Sequence, residues 1–246
     1  MIIAATSDLH GNKPVNTRHS KAPDIDVLVF AGDICSHDLR NFKFMQKGNY
    51  DNMGEDIEVK PNAYWNFRKI DHRAEAKYQQ AWAEREVAPW VKALKPKHVL
   101  WVNGNHDFLD PAELSFVTHG IKTGSTNVTI EGIKFGLLAG SMTFTGEWSD
   151  EVAEEEMKSR IMALEGDIDI LVSHVPPYNI LDRAYSGDMI GCQELTKAIF
   201  GYSGQELRFP KLKHHFFGHV HEMSGDLERM DIKFHNMSNR MAEVSV

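Results

Sequence analysis

Short apolar runs, each closed by polar residues, recur along this 246-residue chain. Five stand out: Ile2-Ile3-Ala4-Ala5-Thr6-Ser7-Asp8, Val27-Leu28-Val29-Phe30-Ala31-Gly32-Asp33, Val99-Leu100-Trp101-Val102-Asn103-Gly104-Asn105-His106, Ile168-Asp169-Ile170-Leu171-Val172-Ser173-His174 and Phe216-Phe217-Gly218-His219-Val220-His221. Short runs rich in Val, Ile and Phe and closed by Gly, Asn or Asp predict buried strands. Two further stretches predict antiparallel hairpins, 126–130 with 134–138 about Glu131-Gly132, and 222–229 with 231–238 about Met230-Asp231. The sheets are therefore expected to be mixed.

Between the strands, residues 73 to about 94 carry Ala, Glu, Gln, Lys and Trp at helical spacing, with Pro96 beyond their end. Residues 149–164 open on Ser149-Asp150-Glu151, which is capping chemistry, and continue as an amphipathic helix. A third helix is expected from about Cys192 to Phe200. Strands alternating with helices point to an α/β architecture. The length suits a single domain over 1–246. Residues 36–72, irregular and rich in Asn, Lys and aromatics, read as an insertion whose Gly48–Gly54 stretch is a mobile loop.

In open α/β sheets, ligands bind beyond the carboxyl ends of the strands, and all five runs deliver Asp, Asn or His there. Asp8 and His10 are two apart, as are His219 and His221, so a locally extended backbone turns both members of each pair toward a common ion. Glycine precedes Asp33, Asn105 and His219, allowing the sharp turns that bring backbone close to an ion. Carboxylate, imidazole and amide oxygen without thiolate suit manganese, iron, zinc, nickel or magnesium, and argue against a Cys-rich structural zinc site. The candidate ligands are Asp8, His10, Asp33, Asn105, His174, His219 and His221, too many for one tetrahedral ion and suited to two ions sharing a carboxylate.

Charge narrows the partners. A formal net charge of −8 without a basic stripe disfavours long nucleic acid, whereas a small phosphorylated substrate stays compatible because bound cations reverse the local field. The two cysteines, Cys35 and Cys192, have no ligand or redox spacing and suit a reducing compartment. No apolar run approaches the thickness of a bilayer and the N-terminus lacks a basic leader pattern, so a cytoplasmic location without membrane contact is expected.

Asp8-Leu9-His10, Gly32-Asp33, Gly104-Asn105-His106-Asp107, His174 and Gly218-His219-Val220-His221, in this order, resemble the motif set of the calcineurin-like metallophosphoesterase superfamily. The resemblance implies a four-layer α/β/β/α sandwich of two mixed β-sheets flanked by helices, with a two-metal site at one edge. It implies a first metal held by Asp8, His10, Asp33 and His221, and a second held by Asp33, Asn105, His174 and His219, with Asp33 bridging. Ser173-His174-Val175-Pro176-Pro177-Tyr178, Leu181-Asp182, Gly191-Cys192-Gln193-Glu194-Leu195 and Phe217-Gly218-His219-Val220-His221-Glu222 are further similar to the metallophosphoesterase-domain-containing (239AB-like) group. That similarity implies a phosphodiesterase that binds purine mononucleotides. The Asp-Arg-Gly of the superfamily's protein Ser/Thr phosphatases is absent, since Gly32-Asp33 is followed by Ile34-Cys35-Ser36-His37-Asp38.

On this reading two divalent cations, with manganese expected, activate water for attack on a small nucleotide-type phosphodiester. His106, beside a ligand, is expected to hydrogen-bond the phosphate or protonate the leaving oxygen, and Asn105 also meets the substrate. Asp107 is expected to fix the His106 ring, while His37 and Tyr178 read as loop residues. A phosphomonoesterase acting on nucleoside monophosphates and a non-catalytic nucleotide-binding regulator are the alternatives.

Overall fold

All five apolar runs form strands in the computed structural model, which describes residues 1–12, 24–44, 67–202 and 206–246. The first sheet has the order Met241–Ser245, Ile2–Thr6, Val27–Ala31, His98–Val102, His119–Ile121. Its strands are parallel except Met241–Ser245, which pairs antiparallel with Ile2–Thr6. The second has the order Gly225–Arg229, Ile232–Asn236, His214–Phe217, Ile170–Ser173, Ile133–Leu138, Ser125–Ile130. It is parallel in the middle and antiparallel at both ends. Both sheets are mixed, as expected.

Every position of Val27–Ala31 is buried because both faces of the strand are covered. Side chains alternate across a strand. Val27, Val29 and Ala31 therefore enter a core shared with Ile170, Val172 and Phe216 of the other sheet, while Leu28 and Phe30 point outward to Trp82, Val91 and Leu94. On the far side Leu171 and Phe217 pack against Met157, Ile161, Leu195 and Ile199. The layers are helix, sheet, sheet, helix.

The first helical segment runs continuously but not uniformly: α1 (His72–Trp82), a π turn (Ala83–Val87) and α2 (Ala88–Leu94). Pro89 has no backbone N–H to donate to the ladder, and the widened turn immediately precedes it. The next helix is shorter than expected. α3 spans Glu154–Ala163 and starts at Ala153, not at Ser149-Asp150-Glu151. Glu151–Val152 instead pair with Ser141–Met142, and Asp150 accepts from Arg160 at 2.7 and 3.1 Å. α4 (Gln193–Phe200) follows Cys192, whose Sγ accepts from the Leu195 amide.

Both hairpins turn where expected. Glu131 and Gly132 have φ of 49° and 85°, and Met230 and Asp231 have 53° and 59°, the left-handed pairs of tight two-residue turns. The ends of the 36–72 segment are more regular than expected, since Phe42–Phe44 pairs antiparallel with Phe67–Ile70. Its Gly48–Gly54 stretch lies outside the described residues. No described helix is long and apolar enough to cross a membrane.

Candidate metal centre

The structure gathers Asp8, His10, Asp33, Asn105, His174, His219 and His221 on the loops that leave the carboxyl ends of five strands, three from one sheet and two from the other. The turns there are tight enough to place four of these non-glycine residues in the left-handed region. Their φ values are 54° at Asp8, 45° at His10, 56° at Asp33 and 72° at His219. Strain of about 1–3 kcal/mol per such residue persists only where surrounding contacts enforce it. Gly218 is one such contact: a Cβ there would overlap Ser7 Oγ and Asp8 Oδ2.

Two groups of donor atoms result. In the first, ligand atoms of Asp8, His10 and His221 lie within 4.8 Å of one another. His221 Nε2 is 3.2 Å from Asp8 Oδ1 and 3.3 Å from His10 Nε2. Asp8 Oδ2 faces away from them and accepts from Ser7 Oγ at 2.6 Å, Ser238 Oγ at 2.9 Å and the His219 amide at 2.9 Å. In the second, Asp33, His174 and His219 are likewise within 4.8 Å. His174 Nε2 is 3.2 Å from Asp33 Oδ2, from Asn105 Oδ1 and from His219 Nδ1.

The chemistry of these donors fits a divalent cation. His174 Nδ1 donates to the Ala31 carbonyl at 2.9 Å, so Nε2 of the neutral ring presents a lone pair. Three further lone-pair atoms converge on that nitrogen. A proton on Nε2 satisfies such a cluster: burial opposes the charge, yet the Asp33 carboxylate pushes His174 up to about 9. Asp33 moves in the complementary direction, its burial outweighed by the charge of His174, and stays ionised well below the usual carboxylate range. A divalent cation in place of that proton would be held by His174 Nε2, Asp33 Oδ2, Asn105 Oδ1 and His219 Nδ1. In the first group, burial of Asp8 is likewise outweighed by the hydrogen bond from His221, and the same bond raises His221. Burial lowers His10 and pushes His219 down to about 4, so both are neutral and able to ligate.

His106 sits at the rim of these groups, its backbone amide donating to Asp33 Oδ1 at 2.8 Å. Asp107 does not fix its ring. The Asp107 carboxylate instead accepts from the amides of Asp33, Ile34, Cys35 and Gly104 at 2.7–3.3 Å, shaping the turn that carries Asp33. His37 is no plain loop residue, since its Nε2 lies 3.2 Å from His106 Nδ1. Glu75 and Gln79, missed in the sequence, are fully buried on α1 beside these histidines. Their signal was faint: with Trp82 they occupy i, i+4 and i+7, an inward stripe that is polar at two of three positions. The backbone of Tyr178 bonds to the Cys192 carbonyl and to Thr196 Oγ1.

A family model described as calcineurin-like phosphoesterase matches residues 1–223. The chain is 27% identical over 218 residues, 87% of its length, to the UPF0046 protein K07C11.7 of Caenorhabditis elegans, and it spans 62% of that relative's length. A solved crystal structure is similar with a TM-score of 0.61 at 14% identity, covering 99% of this chain and 94% of that one, a likeness of fold.

Proposed function

Because the chain belongs to the calcineurin-like phosphoesterase family, a family of phosphoric ester hydrolases, we propose that it is a metal-dependent phosphodiesterase acting on small nucleotide-type phosphodiesters. The observation that carries this reading is the pair of donor groups, each built on a buried aspartate and two histidines within 4.8 Å. Asp8, His10, Asp33 and His221 would hold one divalent ion and Asp33, Asn105, His174 and His219 the other, with manganese as the preferred metal. Bound cations supply Lewis acidity toward the phosphoryl oxygens and lower the pKa of water.

The chain's own residues do the rest. Asn105 and His106 meet the phosphate, and His106 stabilises the leaving oxygen by hydrogen bonding or proton donation. Burial holds His106 well below the usual imidazole range, so its ring is neutral and keeps one N–H to donate. The domain spans 1–246 with an insertion at about 36–72, and it works in the cytoplasm.

The test is a manganese-reconstituted comparison of bis-p-nitrophenyl phosphate with p-nitrophenyl phosphate. The diester is expected to turn over faster, and a preference for the monoester would replace this reading by a phosphomonoesterase. Asp33→Ala is expected to lose both metal and turnover. His106→Ala is expected to keep its metal and lose roughly 100-fold or more in kcat. Full activity without metal would reject the centre altogether.

A further inference from the structure

We infer that Glu75 and His37 are positioning residues for His106, a buried hydrogen-bonded chain that orients its ring toward the substrate. The inference rests on the reading of His106 as the group that meets the phosphate.

Glu75 is fully buried on α1, and its carboxylate is surrounded by donors. It accepts from His37 Nδ1 at 2.9 Å, Asn41 Nδ2 at 2.8 Å, the Asp38 amide at 3.3 Å and Gln79 Nε2 at 3.5 Å. A carboxylate removed from water persists because these bonds replace hydration. With Nδ1 donating to Glu75, His37 turns Nε2 to His106 Nδ1 at 3.2 Å, where the two nitrogens share one hydrogen bond. His106 Nδ1 accepts in that bond, so the one N–H of its ring lies on Nε2, the nitrogen left for the substrate. The rest of the ring is held as well. Trp148 packs on it with centroids 3.7 Å apart, and His10 meets it edge-on at 4.9 Å. Gln79 grips the backbone on both sides, donating to the His106 carbonyl at 2.9 Å and accepting from the Phe108 amide at 2.6 Å.

The rival use of these histidines is a third cation, since ligand atoms of His10, His37 and His106 also lie within 4.8 Å of one another. That group contains no carboxylate, whereas each of the other two contains a buried aspartate. Glu75, the carboxylate bonded to a ring nitrogen of this group, sits behind His37. Lacking the buried aspartate on which each of the other two groups is built, the chain is assigned as hydrogen bonds. A carboxylate backing a histidine whose far nitrogen acts is a recurring way to fix ring orientation.

The experiment is a kinetic cycle with bis-p-nitrophenyl phosphate on manganese-loaded protein, with metal content and Tm measured for each variant. His37→Ala is expected to lower kcat roughly 10- to 100-fold with KM within about twofold and with two metals retained, because the loss lies in orientation during turnover. Glu75→Ala should match it. Glu75→Gln, whose amide oxygen still accepts from His37 Nδ1, should recover most of the activity. The double variant His37→Ala with His106→Ala should be no slower than His106→Ala alone, since the positioning acts through that ring. If His37→Ala does not fold, His37→Gln carries the same measurements. Unchanged kcat in the His37 variant, a further loss in the double variant, or a third metal that disappears with His37 would overturn the inference. A normal His106→Ala would instead remove the reading of His106 on which it stands.

Discussion

A single methyl group is expected to disable the centre. At Gly218 an added Cβ overlaps Ser7 Oγ and Asp8 Oδ2, the side chains that set the first donor group. Gly218→Ala should cost about 1–3 kcal/mol as overpacking and lower kcat/KM at least roughly tenfold through the displaced ligand; thermal melting and steady-state kinetics read both. His215 acts through burial instead. Ser173 Oγ donates to the Val175 carbonyl at 2.7 Å, so His215 Nε2 donates to Ser173 Oγ at 2.7 Å and Nδ1 keeps an unshared lone pair inside the core. Protonation would bury an imidazolium, and burial pushes the ring down to about 3. An unfolded histidine titrates near 6.5. Between about pH 6.5 and 3 the unfolded chain therefore holds a proton that the folded chain does not, and stability falls as pH drops through that window, by up to about 1.4 kcal/mol per pH unit. His215→Gln should flatten the decline of Tm between about pH 6.5 and 4; an unchanged slope would show that other groups drive it. Neither residue declares this in the sequence. Gly218 and Ser7 meet only in the folded chain, and His215 reads like any histidine within an apolar run.

Elements were legible where one side chain pattern had one physical cause. The strand Val27–Ala31 is apolar throughout because both faces are covered, and the hairpins are marked by two-residue turns with positive φ. The loops that bring Asp8, Asp33, Asn105, His174 and His219 together were legible as a set, since a single Asp or Asn at a strand end is a common turn residue but five such ends in order are not. Mixed causes were misread. Ser149-Asp150-Glu151 has capping chemistry, yet Asp150 is taken by Arg160 and Glu151 by a short strand pairing. On α1 the polar Glu75 and Gln79 look like a solvated face but turn inward toward His37 and His106. The edge strands His119–Ile121 and Met241–Ser245 exist through their neighbours rather than their own periodicity. The Arg160–Asp150 pair gives this level its prediction. It ties α3 to the loop whose Ser149 amide donates to the Asn105 carbonyl at 2.9 Å and whose Trp148 packs on His106. Arg160→Met strands a buried carboxylate, a loss of about 3–5 kcal/mol, and should lower Tm by roughly 10 °C and kcat several-fold. Adding Asp150→Asn should restore part of both, because the uncompensated charge is gone. A single variant as stable as the parent would show that the tether carries no strain from the loop.

The centre spans the seam between the sheets, which makes metal a property of the whole fold rather than of one loop. Asp8, His10, Asp33 and Asn105 leave strands of the first sheet, and His174, His219 and His221 leave strands of the second. A cation bound by Asp8 and His221, or by Asp33 and His174, therefore joins the two halves of the sandwich across their shared core. Unfolding separates these ligands along the chain, so the folded state binds far more tightly and binding adds directly to stability. At a free manganese concentration about 100 times Kd the gain is roughly 2.7 kcal/mol, which for a chain of this size raises Tm by roughly 5–10 °C. Stripping with a chelator should lower Tm by the same amount and abolish hydrolysis, and manganese should restore both together. Asp33→Ala should show neither the shift nor the activity, while Arg160→Met should keep the shift from its lower starting point. Hydrolysis that depends on manganese without any change in Tm would mean that the ion is not resident in the free fold and arrives only with the substrate.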